Sequence, residues 1–315
     1  MMKKLPLIQY LPLTRPKAAK LFLKKLNKAK VMSILDLEDS AQDPFSKSRT
    51  AKLKVSARDG LELISKDANI SYSSNVYIRI NSSDSEFYYD DVEAVISAYA
   101  NGMLITGVFL PKVESYSQVQ DLMRKLSIVN EKVEIVAMIE TVKGLNNLEK
   151  MLKLDTDNNF ISRVHYGHFD YCLDAKIWPF LDPIHHDFWS VVEKVVKPVH
   201  RSNKTYIHTP FPFTRNEKLF WESSFHLKNI YPLHDIWICT LNSELSLSPQ
   251  PDKVSHLDIS SRNFSESFLI NEANKICMNF LEGRANKRSF SVSDERFIPP
   301  HQYFAAKHYL EKTEK

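Results

Sequence analysis

Eight short apolar runs of strand type recur along the chain, at residues 8–11, 31–35, 75–81, 107–112, 134–139, 163–166, 205–208 and 235–241. Most begin 27 to 44 residues after the one before, with helical periodicity or a long crossover between them. Regular alternation of strand and helix demands a parallel sheet, because a parallel neighbour is reached only by a crossover. Eight such units close into a (β/α)8 TIM barrel. Apolar positions at helical spacing predict helices over 52–65, 92–101, 115–126, 145–154, 187–197 and 266–281. Gly102 reads as the residue that closes the helix before it, and Pro198 as the end of the helix from Asp187. The stretches 46–50 and 82–91 read as polar loops. The division that follows is a barrel domain over residues 1–282 and a C-terminal tail over 283–315, a lid or oligomer clasp with a short helix at 301–311.

In such a barrel the chemistry sits where the strands end. Collected from those ends, the polar residues are Arg15, Glu38, Asp39, Arg79, Lys112, Glu140, Asp170 and His208. Glu140 follows the apolar run 137–139, and Asp170 follows 164–166 after a short turn. Two carboxylates brought to one rim form a hard oxygen site suited to Mg²⁺. Asp36, Glu38 and Asp39 crowd one strand end, which is costly unless cations or hydrogen-bond donors face them. His168 stands beside Asp170 with a pKa suited to a general base. His165 reads as pointing into the barrel or its wall, Asp187 as a helix cap, and the four tryptophans as core.

Composition removes several classes of function. Lys and Arg number 42 against 38 Asp and Glu, a net charge of +4, too even for a nucleic-acid binder. The lysines near the start form a solvated helix face. Six glycines in 315 residues leave no phosphate-binding loop of the mononucleotide or dinucleotide type. Cys172, Cys239 and Cys277 show neither metal spacing nor a disulfide framework, which suits a reducing cytoplasm. No apolar stretch approaches the ~20 residues of a membrane span.

Seven short motifs in order then carry a family likeness. They are Leu11-Pro12…Arg15-Pro16, Leu35-Asp36-Leu37-Glu38-Asp39-Ser40, Lys54-Val55-Ser56-Ala57-Arg58, Tyr77-Ile78-Arg79-Ile80-Asn81, Leu110-Pro111-Lys112-Val113-Glu114-Ser115, Ile139-Glu140-Thr141…Gly144-Leu145 and Gly167-His168-Phe169-Asp170. Over roughly residues 5–210 the chain resembles the citrate lyase β-subunit-like branch of the HpcH/HpaI aldolase superfamily. The resemblance implies a Mg²⁺-dependent carbon–carbon lyase or aldolase acting on a small carboxylate, a 2-oxo acid or an acyl thioester such as an acyl-CoA, through an enolate stabilised by the metal. It implies Glu140 and Asp170 as metal ligands and Arg79 as the group that binds the substrate and the developing enolate. Glu38 and Asp39 would hydrogen-bond the metal's waters, Lys112 would orient an acid near the metal, and Arg15 and Glu140 would contribute to substrate binding. It also implies a homo-oligomer, trimer or hexamer.

The chain departs from that pattern in two places. The family's glycine, lysine, histidine and proline at strand eight are replaced by Asp235-Ile236-Trp237-Ile238-Cys239-Thr240-Leu241-Asn242. In the tail, an expected acid falls on Ile298, with Asp294 the nearest substitute. These losses bear on coenzyme A and on the acid/base step. They also motivate an alternative, a catalytically degenerate barrel serving as a binding or assembly partner. A further variant is an enolate enzyme acting on a phosphorylated substrate.

Overall fold

The computed structural model describes residues 4–67, 76–129, 133–285, 290–293 and 295–313. Eight parallel strands close a barrel in sequence order: β1 (Leu7–Pro12), β2 (Met32–Asp36), β3 (Val76–Arg79), β4 (Ile105–Leu110), β5 (Glu134–Ile139), β6 (Ile161–Tyr166), β7 (Thr205–His208) and β8 (Ile236–Thr240). The circle is completed by β1 pairing with β8, Leu7 beside Ile238 and Gln9 beside Thr240.

Side chains alternate across each strand. The inward set is Ile8 and Tyr10, Ile34, Tyr77, Phe109, Val136 and Met138, Ile207 and Cys239, all buried together inside the barrel. His165 belongs with them by its ring contacts to Tyr10 and Phe109, so it does point inward. The same period carries inward-facing positions upward by two residues, from Ile34 to Asp36, Tyr77 to Arg79 and Met138 to Glu140. The barrel therefore ends in charge at the rim where its strands terminate.

Outside the strands lies a larger apolar layer, covered by α1 (Pro16–Lys28), α2 (Lys47–Ser65), α3 (Tyr88–Ala100), α4 (Tyr116–Leu126), α5 (Val142–Leu154), the short α6 (His168–Asp174), α7 (His186–Arg201), α8 (Glu217–Ile230) and the single turn α9 (Ser243–Leu247). Gly102 has a φ of 85°, the left-handed backbone expected of a helix-closing glycine.

Several sequence expectations change. The helix expected from 52 begins at Lys47, because Ser46 caps it by accepting the Arg49 N–H. The helix expected from 92 begins at Tyr88, with Asp90 and Asp91 in its first turn, where carboxylates suit the helix dipole. Pro198 does not end α7. The helix runs on to Arg201 because Val195, Val196, Pro198 and Val199 are buried on one face, and that packing outweighs the lost hydrogen bond. His185 rather than Asp187 takes the cap position there, and Asp187 lies in the first turn. Helix α8, not anticipated, is capped by Asn216, which accepts the Leu219 N–H.

The C-terminal segment folds back onto its own barrel. Helix α10 (Glu266–Ala285), an antiparallel hairpin of β9 (Ser291–Ser293) and β10 (Arg296–Ile298), and helix α11 (Pro300–Thr313) share a small core of Ala273, Ile276, Phe280, Ile298, Tyr303 and Ala306. The boundary expected between 282 and 283 falls inside α10, whose partner is α11. Polar contacts fasten this unit to the rim loops. Arg296 pairs with Asp182 at 3.0 Å, the Phe297 N–H donates to the Pro212 carbonyl at 2.7 Å, and Arg284 pairs with Asp43 at 3.1 Å. Asp294 lies outside the described residues.

Candidate active site

Asp36 and Arg79 are direct neighbours across β2 and β3. Arg79 Nε donates to Asp36 Oδ1 at 2.7 Å and Nη2 to Oδ2 at 2.8 Å, a bidentate pair. Its remaining terminal nitrogen, Nη1, is 3.0 Å from Asp39 Oδ2 and 2.9 Å from Glu38 Oε2. The guanidinium lies over the Tyr10 ring at 4.5 Å. Burial alone would raise the Asp36 pKa, but Arg79 outweighs it and holds the carboxyl at about 2. Glu38 behaves differently. Burial, reinforced by the charge of Asp39, pushes it up to about 8 despite Arg79.

The loop carrying Glu38 is anchored by Lys54. Its ammonium, buried in the wall, donates to the carbonyls of Leu37 and Glu38 at 2.9 and 2.7 Å and to Asn81 Oδ1 at 2.7 Å. Asn81 in turn donates its backbone N–H to Asp91 at 2.8 Å, and Arg58 pairs with Asp91 at 3.0 Å. The Lys54–Arg58 and Arg79–Asn81 motifs are thus one buried network that sets the height of the acid-bearing loop.

On the opposite side of the rim, Glu140 follows β5 and abuts Gly167 after β6. A Cβ at Gly167 would lie 2.3 Å from Glu140 Oε1, so the carboxylate occupies space that only glycine leaves. Lys112, with a φ of 52°, ties the two expected metal ligands together. Its backbone N–H donates to Glu140 Oε2 at 3.1 Å and its ammonium lies 3.1 Å from Asp170 Oδ1. Burial, then the charges of Asp170 and Glu38, raise the Glu140 pKa well above the usual carboxylate range. Asp170 moves the other way, because His301 and Lys112 outweigh its burial.

Asp170 does not end a strand as expected. β6 stops at Tyr166, and Asp170 sits in the first turn of α6. There the helix N-terminus presents it to the rim. Arg15 takes the N-cap position of α1 just beyond β1, makes no side-chain cap and is exposed. His208 is buried against Tyr206 and Trp189. His168 is enclosed by Phe169 and Phe188, with Nδ1 2.6 Å from the Thr209 hydroxyl. Burial holds it neutral, its pKa well below the usual histidine value. His185 packs edge-on against Phe264 and is not part of the site.

Three participants were not anticipated. Asp36 holds Arg79. The Tyr10 hydroxyl is buried without a partner among the described residues, with Arg79, Cys239, Glu140 and Asp36 as its titratable neighbours. His301, in the first turn of α11, brings Nε2 within 3.3 Å of Asp170 Oδ2. Burial opposes its charge, but Asp170 raises its pKa to about 9. Ile298, where an acid was expected, is buried in the apolar core of the tail instead.

The donor chemistry fits a divalent cation. Asp36, Glu38, Asp39, Glu140 and Asp170 crowd this rim, and the raised pKa values of Glu38 and Glu140 mark carboxyl groups short of compensating positive charge, which a divalent ion would supply. Oxygen donors dominate, as a hard ion requires.

Solved structures with the same fold include the protein CitE of Mycobacterium tuberculosis in complex with magnesium, acetoacetate and coenzyme A. It is 16% identical, with 98% of each chain covered and a TM-score of 0.56. The citrate lyase β subunit of M. tuberculosis complexed with oxaloacetate and magnesium is 18% identical over 78% of this chain and 98% of that one, TM-score 0.56. RipC of Yersinia pestis is 18% identical over 78% and 96%, TM-score 0.54. No curated protein matches the sequence. The sequence profile of the HpcH/HpaI aldolase/citrate lyase family matches residues 10–230, which hold the end of β1, all of β2 to β7 and none of β8; on that match, the chain belongs to the HpcH/HpaI aldolase/citrate lyase family.

Proposed function

We propose that the protein is a divalent-metal-dependent carbon–carbon lyase or aldolase whose substrate is a small free 2-oxo acid. The observation that supports it is a buried guanidinium, Arg79, held across the barrel mouth from the paired acids Glu140 and Asp170. Breaking a bond β to a carbonyl leaves negative charge on oxygen, and fixed positive charge at that oxygen lowers the barrier. Mg²⁺ held by Glu140 and Asp170 supplies Lewis-acid charge there when bound.

The chain's own residues do the rest. A guanidinium has five N–H donors. Asp36 takes two of Arg79's and the Nη1 pair faces Glu38 and Asp39, which leaves one Nη2 N–H for a substrate carboxylate or carbonyl. Asp36 fixes its plane, so little reorganisation accompanies the reaction. Lys112 positions both acids. Glu38 and Asp39 remain as acceptors for ordered water. The Tyr10 hydroxyl lies among these charges with a hydrogen bond to give.

A free acid is favoured over a thioester by the strand-eight rim. There the hydroxyls of Thr240 and Ser246 bond each other, Asn242 caps α9 and donates to the Thr214 carbonyl at 2.6 Å. The rim is closed on itself where the resemblance expects a glycine and a lysine.

The alternative, a barrel that binds a carboxylate without turning it over, draws support from the burial of Ile298 away from the site. One experiment separates them. The protein with Mg²⁺ is assayed for cleavage or decarboxylation of a panel of 2-oxo acids, alongside Glu140→Gln and calorimetric Mg²⁺ titration. Turnover that vanishes with the ion in Glu140→Gln supports the lyase. Mg²⁺ affinity unchanged in that variant overturns it.

A further inference from the structure

The tail delivers a histidine to the barrel's acid cluster, and the geometry at that point is that of a ligand set. Asp39, Asp170 and His301 each present one donor atom, and the three atoms lie within 4.8 Å of one another. His301 Nε2 and Asp170 Oδ2 are 3.3 Å apart. Two donors about 2.1 Å from one ion are roughly 3.0 Å apart at a right angle and roughly 3.4 Å apart at a tetrahedral angle. Asp170 can serve because Lys112 occupies its other oxygen, Oδ1, leaving Oδ2 toward the imidazole. Asp39 reaches the same point from the residue after Glu38, whose carbonyl Lys54 holds, and its carboxylate is oriented by Gln42 Nε2 on Oδ1 at 2.7 Å and Arg79 Nη1 on Oδ2 at 3.0 Å.

The imidazole is held there by its own element. Pro300 and His301 start α11, whose buried Gln302, Tyr303, Ala305 and Ala306 pack on α10 and against α6, the helix that carries Asp170. Phe45 closes over Tyr303 at 5.7 Å, binding the tail to the loop after Asp39. The second imidazole nitrogen, Nδ1, is buried without a partner among the described residues. It carries the proton if Nε2 is the donor to a metal.

We infer that His301 is a metal ligand supplied by the tail of the same chain, completing with Asp170 and Asp39 a mixed nitrogen–oxygen site that prefers Mn²⁺, Fe²⁺ or Co²⁺ to Mg²⁺. An oxygen-only set suits Mg²⁺, whereas an imidazole raises affinity along the first-row series. The inference rests on the divalent-ion reading above, but not on the reaction assigned to it. It gives the tail a second task besides covering the barrel mouth, since a chain whose α11 undocks loses a ligand as well as a lid.

Electron paramagnetic resonance of bound Mn²⁺ tests this without reference to turnover. Wild type is expected to show nitrogen coupling from a histidine, altered when histidine is supplied with ¹⁵N. His301→Gln should lose that coupling and bind Mn²⁺ about 10-fold or more weakly, with Mg²⁺ affinity changed less than about 3-fold. His301→Asn is the second variant, and circular dichroism confirms that each is folded. Mn²⁺ bound without nitrogen coupling in wild type overturns the inference and leaves the Mg²⁺ lyase standing. So does coupling that survives in both variants. Failure of wild type to bind either ion removes both.

Discussion

Asp36 and Arg79 face each other as register partners on adjacent strands, and both oxygens of the one meet two nitrogens of the other. A lysine at 79 keeps the charge but not the fork. Arg79→Lys should lower kcat/KM by at least about 100-fold, a transition-state loss of about 3 kcal/mol. Asp36→Asn should cost about 3 kcal/mol in denaturant unfolding, because it leaves a buried guanidinium short of its strongest partner. Asp36→Asn with unchanged stability would show that Arg79 finds equal compensation in Glu38 and Asp39.

Gly167 is the tightest point of the site. An alanine there places a methyl 2.3 Å from Glu140 Oε1 and 2.6 Å from its Cγ. The carboxylate must turn away, and its bond from the Lys112 N–H with it. Gly167→Ala should remain folded at a cost of about 1–3 kcal/mol, while divalent-ion affinity measured by calorimetry falls at least about 10-fold. An ion affinity equal to wild type would place the metal elsewhere on the rim.

The barrel was legible because each strand announces itself twice, by its apolar run and by the turn that ends it. β5 and β7 fall on the residues expected. Arg79 and Glu140 were legible as strand-end charges for the same reason, whereas Asp170, read as the end of β6, lies in the first turn of α6. Asp36 escaped because its role depends on register with Arg79, which a single strand does not display. Pro198 misled because a buried helix face can overrule a local breaker. His301 carried no local signal at all. It meets Asp170 only because the hairpin at Ser291–Ser293 and Arg296–Ile298 turns the chain back over the barrel mouth, a long-range event with no periodicity to betray it.

Tyr10 offers a prediction in which stability and activity move in opposite directions. Its hydroxyl is buried with no partner among the described residues, and burial raises its pKa well above the usual value, so it stays protonated. An unpaired buried hydroxyl costs about 1–3 kcal/mol. Tyr10→Phe should therefore leave stability unchanged or raise it by about 1 kcal/mol, with Arg79 still seated over the ring. If the hydroxyl meets the substrate, kcat/KM drops about 10-fold or more in the same variant. A fall in thermal midpoint would mean that the hydroxyl is satisfied in the folded protein by something other than substrate.

Two buried histidines, His165 inside the barrel and His208 between β7 and α7, make the fold sensitive to acid. His165, wedged against Tyr10 and Phe109 with Nδ1 3.2 Å from the Ile207 carbonyl, is pushed by burial down to about 3. His208, stacked on Trp189 with Nδ1 3.1 Å from the Tyr206 hydroxyl, is pushed to about 3 for the same reason. Both imidazoles bind a proton more readily in the unfolded chain, where their pKa is near 6.5. At these two sites the unfolded state then holds more protons between pH 6.5 and 3, and their contribution to stability falls as pH drops through that window. The stabilisation is complete above about pH 7. Each histidine contributes a slope on the order of 1 kcal/mol per pH unit below 6.5. Glu38 and Glu140, whose pKa values are raised in the folded protein, oppose this slope over the same range, and His168 adds to it, so the contribution of one ring is read by difference: from pH 7.5 to 5.0 the urea midpoint of His208→Gln should shift less toward instability than that of wild type. Parallel pH dependences in wild type and His208→Gln would mean that this ring takes up a proton without leaving the folded protein.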